Sequence, residues 1–68
     1  MFEDNFCLTE HKVSVDVMGT PYWAMENGDF SRDPDLAFTH YTRAAALRIQ
    51  ANLYQDMPGM VVDITETN

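Results

Sequence analysis

Val13, Val15 and Val17 alternate with Ser14, Asp16 and Met18, the period of two that marks a strand with one buried face. Residues 12–18 are therefore predicted as the first strand, and the same count puts His11 on the valine face. The preceding Phe6-Cys7-Leu8-Thr9 either extends this strand or forms a separate arm. Gly19-Thr20-Pro21 breaks the run as a turn, because glycine tolerates positive φ and proline cannot donate to a ladder. A second strand is predicted over 22–26. Asn27-Gly28 then signals a type I′ hairpin turn, and a third strand returns through 29–32.

Asp33-Pro34-Asp35-Leu36-Ala37 reads as a loop or a single helical turn, with Asp33 as cap and Pro34 at the first position. Residues 38–41 read as extended. Thr42 is a good N-cap, and the stretch from Arg43 to about Tyr54 is rich in Ala and Leu, both strong helix formers. At 100° per residue Ala45, Ala46, Ile49 and Leu53 share one face, with Leu47 and Tyr54 on its flank, while Arg48, Asn52 and Gln55 point away. Pro58-Gly59 ends the helix. Alternation resumes over 60–66, with Met60, Val62 and Ile64 on one side and Val61, Asp63 and Thr65 on the other.

The order β-β-β-α-β predicts an α+β fold, a small antiparallel β-sheet with one helix packed on one face. It forms a single domain over 1–68, with flexible ends expected at 1–5 and 66–68. The expected core is Val13, Val15, Val17, Trp23, Met25, Ile49, Leu53, Val62 and Ile64. The opposite face is expected to be open, carrying Lys12, Ser14, Asp16, Tyr22, Ala24, Glu26 and Asp63. Sixty-eight residues leave no room for a second domain, and 46% hydrophobic content is too apolar for a disordered chain. No apolar run reaches the ~18 residues that would span a bilayer. The opening Met1-Phe2-Glu3-Asp4-Asn5 has neither the basic end nor the long apolar stretch of a secretory leader, and one cysteine forms no intrachain disulfide. The cytoplasm of a host cell is the expected compartment.

Candidate chemistry is thin. Cys7 and His11 are four residues apart and His40 can approach in space, but no local nucleophile motif supports a thiol enzyme. One cysteine and two histidines give no zinc spacing. The oxygens at alternate positions of 29–35 resemble the start of a calcium loop, yet Pro34 stands where the sharp turn needs glycine, and His40 where the bidentate glutamate belongs. Phosphate-loop and dinucleotide motifs are missing. No enzyme activity, metal or cofactor is expected. A core too small for a deep substrate cavity points the same way.

Charge is more informative. Eleven acidic residues against four Lys and Arg give a formal charge of −7. Within residues 1–36, eight acids stand against Lys12 and Arg32, a net of −6. Residues 37–68 hold three acids against two arginines, a net of −1. Direct nucleic-acid binding is not expected of such a surface, because phosphate contacts need cations. Carboxylates on alternate strand positions lie ~7 Å apart, comparable to the phosphate spacing of one DNA strand. They attract basic surfaces with salt-dependent association.

The short length, the layout around Thr42-Arg43-Ala44-Ala45-Ala46-Leu47 and the acidic segment 26–35 resemble the small acidic proteins of phages and mobile elements, among them many anti-CRISPR proteins. The resemblance implies a DNA-mimic inhibitor that occupies the nucleic-acid-binding or PAM-reading surface of a host effector complex. The expected partner is a basic nucleic-acid-binding host protein. It would be engaged through Asp16, Glu26, Asp29, Asp33, Asp35 and Asp63, with Tyr22 as an aromatic anchor. The alternative is a structural or regulatory subunit that forms a homodimer through a strand edge or the Ala-rich helix.

Overall fold

Met18 and Gly19 both have positive φ, 53° and 88°, as a type I′ turn requires. They join β1 (Glu10–Val17) to β2 (Thr20–Ala24) by a loop of only two residues. In this computed structural model, which describes residues 9–67, Val17 consequently pairs with Thr20, Val15 with Tyr22 and Ser14 with Trp23. The expected three-residue turn would have matched Val17 with Trp23 and Val15 with Met25. One residue fewer in the loop reverses which side of β2 meets the valines. Tyr22 and Ala24 thus lie on the valine face, and Trp23 lies on the opposite one. The expected positions of Tyr22, Ala24 and Trp23 are all corrected by this shift.

The second hairpin also departs from expectation. Gly28 N–H donates to the Met25 carbonyl and Met25 N–H to the Asp29 carbonyl, with Gly28 at φ 90°. Met18 is the single non-glycine with positive φ among the described residues, so Asn27 does not take the left-handed conformation of a type I′ turn. The loop is instead a three-residue connection ended by a left-handed glycine. The returning strand β3 is short, Phe30–Ser31, pairing with Ala24 and Trp23.

Strand β4 (Val61–Thr67) pairs antiparallel with β1, so the sheet order is β3-β2-β1-β4. Glu66 and Thr67, expected at a flexible end, belong to this strand. Helix α1 (Arg43–Asp56) starts where predicted, with Thr42 Oγ1 accepting from Ala45 N–H at 3.1 Å. It packs on β1 and β4, burying Ala46 against Val13, Val15 and Val62, with Ile49, Leu53, Met57, Met60 and Ile64 around them. Val17 stays 37% exposed because the helix does not reach it. On that uncovered flank Val17, Tyr22 and Phe30 line an open cleft of about 180 Å³ with Met57 and Met60.

Between β2 and α1 the chain makes an excursion over residues 25–37, which includes edge strand β3, and then rejoins β1. His40 forms an antiparallel bridge with His11, each backbone N–H donating to the other carbonyl at 2.7 and 2.8 Å. Residues 38–40 thereby stand beside β1 where β2 would have continued. The excursion is pinned at its base by Phe38 N–H on the Ala24 carbonyl and contains a 3-10 turn, Pro34–Leu36, capped by Asp33. At the outer edge, Gln50 Nε2 donates to the Val62 carbonyl at 2.7 Å, and the Tyr54 hydroxyl lies 3.4 Å from the Val62 nitrogen. These helix side chains occupy edge groups that would otherwise be open to another strand.

The turn supplies a stability prediction. Met18 is 98% exposed, so its side chain contributes no packing, while its left-handed backbone is strained for an ordinary L-residue. Met18→Asn, a residue that tolerates this conformation, is expected to stabilise the domain by about 1 kcal/mol. The gain should appear as a higher urea midpoint with an unchanged slope. A lower midpoint would mean the turn is not type I′.

Candidate functional site

The face of the sheet away from the helix is built by register. Ser14 pairs with both Trp23 and Asp63, while Asp16 pairs with Pro21 and Val61, so all six residues share that face. Asp16 and Asp63 are diagonal neighbours across β1 and β4, roughly 7 Å apart by strand geometry. Ser14 is buried at their centre, Trp23 is half-buried, and Val61 is 54% exposed. Lys12, also on this face by alternation, sends Nζ to the Pro34 carbonyl at 3.3 Å. That bond ties the acidic 3-10 turn to the same side of the molecule.

Glu26, Asp29, Asp33 and Asp35 all lie on the excursion, and all are exposed. Two of them accept hydrogen bonds within their own turns. The Asp29 carboxylate accepts from Asn27 Nδ2 at 3.2 Å while its N–H donates to Asn27 Oδ1 at 3.0 Å; Asp33 Oδ1 accepts from Asp35 N–H at 2.9 Å. Glu26 and Asp35 carry no such duty, and their carboxylates face water. Glu26 also lines an open groove of about 460 Å³ between the hairpin tip and the 3-10 turn.

Of the seven expected contact residues, register puts Asp16 and Asp63 on the far face, while Glu26, Asp29, Asp33 and Asp35 lie on the excursion. The same register removes Tyr22, whose ring sits beside the apolar cleft under the helix end. The aromatic residue on the acidic face is Trp23, because the two-residue turn exchanged the pair. Among the described residues both ion pairs converge on Glu66, from His11 Nε2 at 3.2 Å and Arg43 at 2.8 Å. Among the described residues none of the six acids forms an ion pair. Six of the chain's eleven carboxylates are thus left to act on a partner through their field.

Glu66 belongs to a second charged group at the other end of β1. His11 is 5% exposed, and its Nδ1 lies 3.3 Å from the His40 carbonyl while Nε2 faces the Glu66 carboxylate. The Phe38 ring stands edge-on to the His40 ring at 4.8 Å. Burial lowers the His40 imidazole from its ordinary value, and the neighbouring His11 charge lowers it further. The cluster fastens the start of β1, the end of β4 and the start of α1 to one another. Its exposed Arg43–Glu66 pair is worth at most about 1 kcal/mol. Only the placement of His11 on the valine face foreshadowed it. Cys7, the nucleophile considered with these histidines, lies outside the described residues.

Among the described residues, no group of three or more His, Cys, Asp or Glu side chains is placed to hold a metal ion, and no helix is long and apolar enough to cross a membrane. No family model, curated protein or solved structure matches this chain.

His40 gives a pH prediction. Its folded value is below the unfolded value of about 6.5, so within that window the unfolded chain binds more protons than the folded one. The contribution is complete above pH ~6.5 and is lost as pH falls through the lowered folded value. Relative to His40→Gln, the native sequence should lose stability between pH 7 and pH 5 in urea unfolding. A relative gain over that range would contradict the placement of His40.

Proposed function

We propose that this chain is a non-enzymatic acidic binding protein that blocks the nucleic-acid-binding surface of a basic host protein. The anti-CRISPR resemblance makes a CRISPR-type effector complex the target class. The single observation that carries this reading is the set of carboxylates, Asp16, Glu26, Asp29, Asp33, Asp35 and Asp63, that form no ion pair among the described residues, where both ion pairs go to Glu66. Such a surface steers a cationic partner at long range and sets its register, while a half-buried ring supplies desolvated contact area. Trp23 is the ring so placed.

The homodimer alternative has less to draw on. Gln50 and Tyr54 already bond the outward groups of Val62 on the β4 edge, and Ala46 is consumed in the protein's own core. Charge does not favour self-association either, because two copies at −7 repel.

Charge reversal tests the reading. Glu26, Asp35 and Asp63 are the choice, because Asp29 and Asp33 also hold their turns. Glu26→Lys, Asp35→Lys and Asp63→Lys together should leave the circular dichroism spectrum intact. They should weaken inhibition of duplex DNA binding by a CRISPR-type effector complex of the host more than about tenfold. The native chain's effect should itself fade at about 0.5 M salt. Equal inhibition by the native and reversed chains would defeat the proposal, as would an effector complex that binds DNA unimpeded by either.

A further inference from the structure

The groove beside Glu26 has a composition of its own. Its walls are Met25, Leu36, Ala37 and Phe38, with Asn27 and Thr39 at the polar margin and Glu26 as its one charged group. Leu36 is 54% exposed and Phe38 38%, so apolar surface is held open to water here. The walls are fixed by backbone bonds. Met25 N–H on Asp29 and Gly28 N–H on Met25 close the hairpin tip; Ala37 N–H on Pro34 closes the 3-10 turn, and Phe38 N–H on Ala24 joins the two sides at the base.

We infer that this groove receives an arginine side chain presented by the basic partner, its aliphatic stem lying on Leu36 and Phe38 and its guanidinium on the Glu26 carboxylate. The inference rests on the acidic-surface reading above and gives it one point of attachment.

Charge decides the class of occupant. A neutral apolar side chain would strip water from Glu26 and leave the carboxylate unpaired, which is costly. An anion would meet Glu26 directly, on a segment that also carries Asp29, Asp33 and Asp35. A metal ion would find a single carboxylate in the lining. A cation on an apolar stem satisfies both parts of the groove. Of the two such residues, arginine suits it better. Guanidinium is less strongly hydrated than ammonium, stacks on aromatic rings, and meets a carboxylate with two parallel hydrogen bonds.

The test is a titration of isotope-labelled protein with a hexa-arginine peptide at low salt, followed by amide shifts. Shifts should concentrate at Met25, Glu26, Asn27, Leu36, Phe38 and Thr39, and hexa-lysine should bind more weakly. Glu26→Gln should weaken hexa-arginine about fivefold, and the exposed Leu36→Ala should weaken it without unfolding. Asp63→Asn, outside the groove, should change it little. Shifts spread over the Asp16 and Asp63 face, with Glu26→Gln no worse than Asp63→Asn, would overturn the groove while leaving the acidic surface standing. Equal affinity for hexa-lysine would overturn the choice of arginine. Failure of both peptides to bind would overturn the acidic-surface reading along with the groove.

Discussion

Two residues with positive φ, Met18 and Gly19, hold β1 and β2 in a register on which the rest of the molecule depends. With a two-residue loop, odd positions of β1 face even positions of β2. The valine stripe is therefore continued by Tyr22 and Ala24, and the stripe of Ser14 and Asp16 by Pro21 and Trp23. Because β4 pairs on the other side of β1, the same alternation carries across to Val62 and Ile64 beneath the helix and to Asp63 on the far face. A loop one residue longer would exchange the faces of β2 and place the indole against the helix.

One helix cannot cover four strands. Helix α1 lies over β1 and β4, where Ala46 lets it approach Val13, Val15 and Val62, and the β2–β3 flank stays partly open around Tyr22 and Phe30. The far face has no second layer. Its cover is local: the bond from Lys12 draws the 3-10 turn toward it, and Trp23 stands beside buried Ser14. An uncovered face in a small acidic domain presents polar groups to water, and here Asp16 and Asp63 are among them, beside Lys12.

The carboxylates fall into three physical situations. Glu66 is engaged by Arg43 and His11, joining elements from opposite ends of the chain. Asp29 and Asp33 accept hydrogen bonds within their own turns, which orients them without cancelling their charge. Glu26, Asp35 and Asp63 are exposed and Asp16 is half-buried, and none of the four forms an ion pair among the described residues. A local hydrogen bond orients a carboxylate, whereas an ion pair also removes its charge from the field that a partner meets. That difference separates Glu66, which fastens the fold, from the acids proposed to bind.

The sequence by itself determined the kind and order of the elements and the excess of acid. Helix 43–56 was legible because Thr42 and the Ala-Leu run act within a few residues, and β1 and β4 because alternation is a property of neighbours. The acidity of residues 26–35 was equally legible, being a matter of count. Only the tertiary structure decided which side of the sheet Tyr22 and Trp23 occupy, and which acid finds a cation. Face assignment depends on the parity of a loop, where one residue reverses the answer. The pairing of His11 and Arg43 with Glu66 depends on strands brought together from distant parts of the chain, and no local pattern encodes that meeting.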